Sequence, residues 1–150
     1  MPLHARRQIV LAAVAVLTGL STTAGRVHPG RASPSPVVKT PFLLVYARTE
    51  ESREISSDDH GRRMQRELIL AVEGVTASAD DDDALSDAIA LEVEQAIEGN
   101  PTLGGLVKDV VLARTTMAGG AEGESRTGRV RLEFTVEYHT TAGRPDISLQ

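Results

Sequence analysis

Apolar and polar residues alternate almost without a break over residues 129–141, RVRLEFTVEYHTT. Val130, Leu132, Phe134, Val136 and Tyr138 fall on one side of a strand, and Arg131, Glu133, Thr135, Glu137 and His139 on the other. That period of two predicts an antiparallel strand with one face in the core and one toward water or a partner. On this reading His139 is exposed. The run 62–77, RRMQRELILAVEGVTA, carries the same period: Leu68, Leu70 and Val72 point one way, Ile69, Ala71 and Glu73 the other. Its first half also suits a helix, because Met, Gln, Glu and Leu are helix formers. Gly74 and Val75 favour a strand for the second half. PFLLVYAR, residues 41–48, is rich in strand formers and opens with proline. LVKDVVLARTTMA, residues 106–118, is a further strand candidate.

The period changes over residues 78–101, SADDDDALSDAIALEVEQAIEGNP. Leu85, Ala88, Ile89, Val93, Ala96 and Ile97 recur at intervals of three and four, which predicts an amphipathic helix. Aspartates crowd its start, where the helix dipole favours negative charge. Gly99 suits the stop and Pro101 cannot continue it. In the joint EGNPTLGGLVKDVVL, Leu103 can pin the turn to the core. Gly104 and Gly105 permit the chain reversal into the next strand.

The first segment, HARRQIVLAAVAVLTGLSTTAG, supports two readings. Arg6 and Arg7 before an apolar run, Ile9 to Leu17, with small residues after it, outline a secretory signal cleaved near Ala24. RRQIVL also weakly resembles a twin-arginine signal. Alternatively Ile9, Val10, Ala13, Val14, Leu17 and Leu20 form the buried face of a structural helix over residues 5–22, with small residues Ala12, Ala15, Gly19 and Thr22 beside Gln8 on the other side. Two arginines at a helix start oppose its dipole. RVHPGRASPSPVVKTPF then reads as a Pro/Gly-rich extended segment over 25–41.

The predicted order is helix, strand, strand, helix, strand, strand. It implies a single α+β domain over residues 1–150, a mostly antiparallel sheet with the N-terminal and second helices packed on one face. Residues 142–150 read as a mobile tail. Residues 48–63, RTEESREISSDDHGRR, and 115–128, TTMAGGAEGESRTG, read as long polar loops of the kind that order on a partner.

Composition narrows the function classes. Aromatics are 3% and tryptophan is absent, so the core is aliphatic and stacking platforms for single-stranded nucleic acid are disfavoured. There are no cysteines, which excludes thiol catalysis and Cys-ligated zinc. The net charge of -5 repels nucleic acid. No apolar run reaches the ~20 residues that span a bilayer, so no membrane partner is expected.

Candidate chemistry fails on spacing. The run Asp80–Asp83 lacks the glycine and glutamate of a calcium loop: the sixth and twelfth positions hold Leu85 and Leu91. Asp58, Asp59 and His60 are adjacent, but no second cluster completes a metal site. No serine sits in a nucleophile elbow. Leu103-Gly104-Gly105-Leu106 is followed by a strand, whereas a phosphate loop opens a helix. No catalytic, cofactor-binding or metal residue is assigned, and no enzymatic activity is expected.

The succession PFLLVY, ELILAVEGV, ALSDAIALEVEQAI, NPTLGGLVKDVVL and RVRLEFTVEYHT resembles the tail terminator, or minor tail protein U-like, family of long-tailed bacteriophages and related gene-transfer particles. The resemblance runs from about Arg6 to Thr140. It is most specific at Leu103-Gly104-Gly105-Leu106, the Val-rich strand behind it, and Tyr138. It implies an α/β sandwich that assembles as a homo-hexameric ring at the head-proximal end of a virion tail. Such a ring stops tail tube polymerisation and joins the tail to the head connector. It implies tail tube protein and connector as partners, synthesis in the host cytoplasm, DNA passing the channel without specific binding, and a packed N-terminal helix rather than a signal. No cofactor and no catalytic residue follow from it. A closing ring needs two different patches on each subunit. The charged face of the last strand (Arg131, Glu133, Glu137) and the small-residue side of the first helix are candidates. The polar loop residues Arg53, Glu54, Asp58, Asp59, Arg62 and Arg63 are candidates for tube or connector contact. Gly99, Pro101, Leu103, Gly104 and Gly105 are assigned to the structural turn. An exported periplasmic binding or adaptor domain, cleaved near Ala24, is the competing function.

Overall fold

The computed structural model describes residues 2–32, 39–77, 82–120 and 127–149. Part of the proline-rich segment, Asp80 and Asp81 of the acidic run, and residues 121–126 of the expected second loop lie outside them. Helix α1 spans Ala5–Leu17, followed by strands β1 (Val27–Pro29), β2 (Phe42–Asp58) and β3 (Gly61–Ala77). Helix α2 (Asp82–Glu98) then leads to β4 (Asp109–Gly120), β5 (Thr127–Thr141) and β6 (Arg144–Leu149). The strands form one sheet in the order β1-β2-β3-β5-β4, with β6 extending the far side of β5 beyond β4. All pairings are antiparallel except β1 with β2. The α+β class with helices on one face is therefore what the periodicity predicts.

The alternation of β3 and β5 sorts the sheet faces as expected. Leu68, Leu70 and Val72 meet Val136, Phe134 and Leu132 in register, and Tyr138 lies in the same core. Ile9, Ala13 and Leu17 of α1 and Ile89, Val93 and Ile97 of α2 cover this face. At Gly74 a side chain would come within 2.9 Å of Ile89 Cγ2 and 3.1 Å of Val130 Cγ1, so the glycine allows α2 to sit close on the sheet.

Helix α1 stops at Leu17, not near 22. Thr18 is extended and Gly19 adopts a left-handed φ of +100°, so the apolar spacing continues to Leu20 without the helix. Of its two arginines, Arg6 is accommodated by a buried acid and Arg7 is exposed. Arg6 and Arg66 each donate to Glu50 Oε2, at 2.8 and 2.9 Å, and the Tyr138 hydroxyl donates to Glu50 Oε1. His4 Nδ1 caps the helix by accepting from the Arg6 amide at 3.0 Å. Burial first, and then the Glu50 carboxylate, push the Tyr138 hydroxyl well above its ordinary pKa.

Three expected irregular segments are strands. The polar loop 48–63 is the far half of a hairpin whose strands are each 17 residues long. It has no apolar period because residues 51–62 have no core on either side. Of the expected second loop, residues 115–120 belong to β4 and 127–128 to β5. The tail is β6, fixed by Gln8 Nε2 donating to the Asp146 carbonyl at 2.7 Å and Ser148 Oγ donating to the Leu106 carbonyl.

The joint after α2 works differently from a glycine stop. Gly99 does not take a left-handed conformation. Asn100 Nδ2 donates to the Ala96 carbonyl at 2.9 Å and closes the helix. The left-handed residues come later, at Leu103 (φ 48°), Gly104 (φ 75°) and Gly105 (φ 87°). Leu103 is buried in the core, which holds a non-glycine residue in that conformation. The Thr102 carbonyl accepts from the amides of Gly105, Leu106 and Val107 and gathers the turn. Pro101 lies inside this turn, exposed.

Candidate functional site

Among the described residues no helix covers the second face of the sheet, although its apolar part is buried. Its upper part near β1 holds Phe42, Leu44, Tyr46, Ala71 and Val75, a small second apolar cluster. Beside it runs a lattice of ion pairs. Tyr46 donates to Glu73 Oε2 at 2.8 Å, Arg129 donates to Glu73 Oε1 at 2.6 Å, and Arg48 donates to Glu133 Oε1 at 2.7 Å. Arg131 Nε stands 3.8 Å from Glu133 Oε1 and has no hydrogen-bond partner among the described residues. The Arg131 and Glu133 side chains, expected at a wet surface, are thus largely used within the molecule: Glu133 is only 8% exposed. A row lower, the strand register places Glu51 opposite Glu67, Glu67 opposite Glu137, and Glu137 opposite Asp109. These carboxylates form one line across β2, β3, β5 and β4. Like charges facing each other across strands are destabilising. Only Glu137 has a paired neighbour among the described residues, His139 at 3.3 Å.

His139 is buried, contrary to the exposed position its alternation implies. The β6 strand closes over its end of β5, and Arg63 Nε donates to its Nδ1 at 3.0 Å. Burial, then Lys108 and Arg63, lower the His139 pKa, with Glu137 opposing.

The second feature is the hairpin arm. Every residue from Glu51 to Arg62 is exposed. Asp59 and His60 form its tip, and Asp58 Oδ1 accepts from the His60 amide at 2.8 Å, which turns the chain back. Arg53 donates to Gln65 Oε1 at 2.8 Å and Glu54 faces Met64, so both are tied to the ribbon. Among the described residues the Asp59 and Arg62 side chains have no hydrogen-bond partner, and the Arg62 carbonyl accepts from the Ala142 amide at 2.8 Å. Of the residues singled out in the sequence, Arg53, Glu54, Asp58, Asp59 and Arg62 are gathered on this arm. Arg63 sits at its base against His139, and Arg131, Glu133 and Glu137 lie on the open face.

The small-residue side of α1 is partly consumed inside the chain. Ala12 packs against the core, and Thr22 donates through its amide and hydroxyl to Glu92 Oε1 at 2.9 and 2.6 Å. Partial burial raises the Glu92 pKa, but hydrogen bonds from Thr22 and Ser21 outweigh it and hold the carboxyl below its usual value.

Two flanks missed by the sequence reading complete the surface. A groove of about 540 Å³ runs between α2 and β4, with Leu91 and Leu112 at its mouth and Glu94 and Glu98 on its rim. On the opposite flank, between α1 and the β1–β2 edge, lies a hollow of about 250 Å³ bordered by His4, Arg6 and Arg7. Neither has a motif, because each is assembled from elements far apart in the chain. Among the described residues, no helix is long and apolar enough to cross a membrane, and no group of three or more acidic or histidine side chains is arranged to hold a metal ion.

No family model matches the chain, and no curated protein does. Among solved structures, a chain from the virion of a native gene transfer agent particle is similar, with a TM-score of 0.44 and 15% identity. The match covers 91% of this chain and 95% of that one. Likeness at that level carries no argument about function.

Proposed function

We propose that this protein is a virion structural protein, a tail terminator that forms a ring on the tail tube, ends its polymerisation and joins tail to head connector. The sequence resemblance centred on Leu103-Gly104-Gly105-Leu106 suggests the role, and the hairpin arm is the observation that carries it. A two-stranded ribbon without a core on either side is marginal in water. Its exposure over Glu51–Arg62 makes sense when it lies against another protein. Asp58, Asp59, Arg62 and Arg53 give it a polar, mixed-charge contact surface suited to tube or connector. The acidic row Glu51–Glu67–Glu137–Asp109 supports a channel-facing role for the open sheet face, because it repels phosphate and lets DNA slide past.

The reading is tested by adding the purified chain to polymerising tail tube protein. Electron microscopy is expected to reveal tubes that stop growing and carry a ring at one end. Tubes of unrestricted length without terminal density would refute it. An intact native mass beginning near Gly25 would instead favour the exported adaptor domain.

A further inference from the structure

Of the large exposed apolar side chains among the described residues, Leu91, Leu112 and Met117 lie on the α2–β4 flank and Leu11 on α1, while Leu3 precedes α1, Val111 faces away from α2 beside Thr135, and Ile55 and Ile147 lie on the arm and on β6. Arg7 and Leu11 are spaced by four residues within α1 and are both exposed, so they share one side of the helix, a basic charge beside a leucine. The groove between α2 and β4 has the complementary make-up. Its floor is Ile97, Val110 and Phe134, its mouth is Leu91 and Leu112, and its rim is Glu94 and Glu98. One flank is apolar with an acidic rim, and the other sets a basic charge beside a leucine.

The sheet adds a directional constraint. β2 is antiparallel to β3, β3 to β5, and β5 to β4, so β2 and β4 run in opposite senses. Among the described residues, β4 ends the sheet with an unpaired outer edge and β1 pairs with Leu43, Leu44 and Val45 of β2. Copies related by rotation about an axis parallel to the strands keep the same strand sense. If the β4 flank of one meets the β2 flank of the next, the facing strands are antiparallel. The same apposition sets the neighbour's α1 beside α2, over the part of β4 that the helix layer leaves bare.

From these complementary flanks we infer that the α2–β4 groove receives the Arg7–Leu11 side of α1 from a second copy of this chain, with Arg7 between Glu94 and Glu98. The contact joins two different patches, so it repeats head-to-tail and closes into a ring where the rotation permits. It shields β4, a long edge strand with apolar side chains that otherwise invites uncontrolled pairing. This inference deepens the ring reading and rests on it.

The test uses the full chain. Arg7→Glu and the pair Glu94→Lys with Glu98→Lys change exposed residues, and circular dichroism checks that each variant folds. In sedimentation velocity, each reversal is expected to weaken self-association about tenfold or more, and the three substitutions combined in one chain are expected to restore it. The absence of native cysteine permits a direct test of proximity. A mixture of Leu11→Cys and Leu112→Cys chains is expected to give a disulfide-linked dimer under oxidation, while neither chain alone does so. Association that both reversals leave undiminished would overturn this surface while the ring reading stands. Cross-linking of Leu112→Cys chains with one another would also overturn it, by revealing a two-fold β4–β4 contact. A wild-type chain that remains monomeric, alone and with tail tube protein, would overturn both.

Discussion

Leu103, Gly104 and Gly105 turn the chain through three successive left-handed residues, and a buried leucine anchors the first of them. Nothing lies within 4 Å of a side chain added at Gly104, so the constraint there is conformational and not steric. Gly104→Val is therefore expected to cost about 1–2 kcal/mol through backbone strain. Chemical denaturation should reveal a lowered midpoint with an unchanged slope. Normal stability accompanied by loss of some ligand would instead make this stretch a binding loop. His139 supplies a second prediction. Its pKa is lowered from 6.5 in the folded chain, so the unfolded state binds the proton more readily. Its contribution to stability is present above pH 6.5 and is lost as pH falls through the lower folded value. His139→Gln should flatten that part of the melting-temperature profile. A wild-type profile with no slope below neutral pH, outside the carboxylate range, would contradict the assignment. His139 was misplaced by alternation because its neighbours, Arg63 of β3 and Leu149 of β6, come from distant parts of the chain.

At the scale of elements, β3 and β5 were legible because each presents one face to a core and one to a different environment. The arm and β6 were not. A strand is recognisable from periodicity only where its two faces differ, and residues 51–62 meet water on both. Their pairing partners define them instead: Glu51 faces Glu67 and Arg53 faces Gln65 in the register that follows the bulge between Ala47 and Thr49. The same register creates the carboxylate row. Glu67 stands between Glu51 and Glu137, so Glu67→Gln relieves two like-charge contacts at once. It should stabilise the isolated chain by about 0.2–1 kcal/mol, with less gain at high salt. A loss of stability on urea titration would mean that Glu67 has a favourable partner in solution.

At the scale of the whole molecule, the arm and the core are separable. The helices cover the sheet from Leu43 to Tyr138, and residues 52–61 add no buried apolar side chain to it. Replacing 57–62, which lie between the paired Ser56 and Arg63, with an Asn-Gly turn should leave the melting temperature within a few degrees of wild type while tube capping is lost. Capping by the shortened chain would move the tube or connector contact away from the arm. Collapse of the fold would mean that the arm's strand pairing, through Arg62, Arg63 and the β5 end, is part of the core's stability.

The amino-acid sequence by itself determined the class of fold, because apolar periods of two and of three to four are properties of consecutive residues. It also located the α2–β4 joint, since glycine, proline and asparagine act over a few bonds. Tertiary structure alone decided what the polar residues do. Arg6 became a partner of Glu50 across 44 positions, and Glu133 became a partner of Arg48 across 85. Four separate strands aligned their acids, and two distant flanks acquired complementary charge. Such groupings depend on strand register and helix placement, which side-chain packing sets, so no local pattern in the chain announces them.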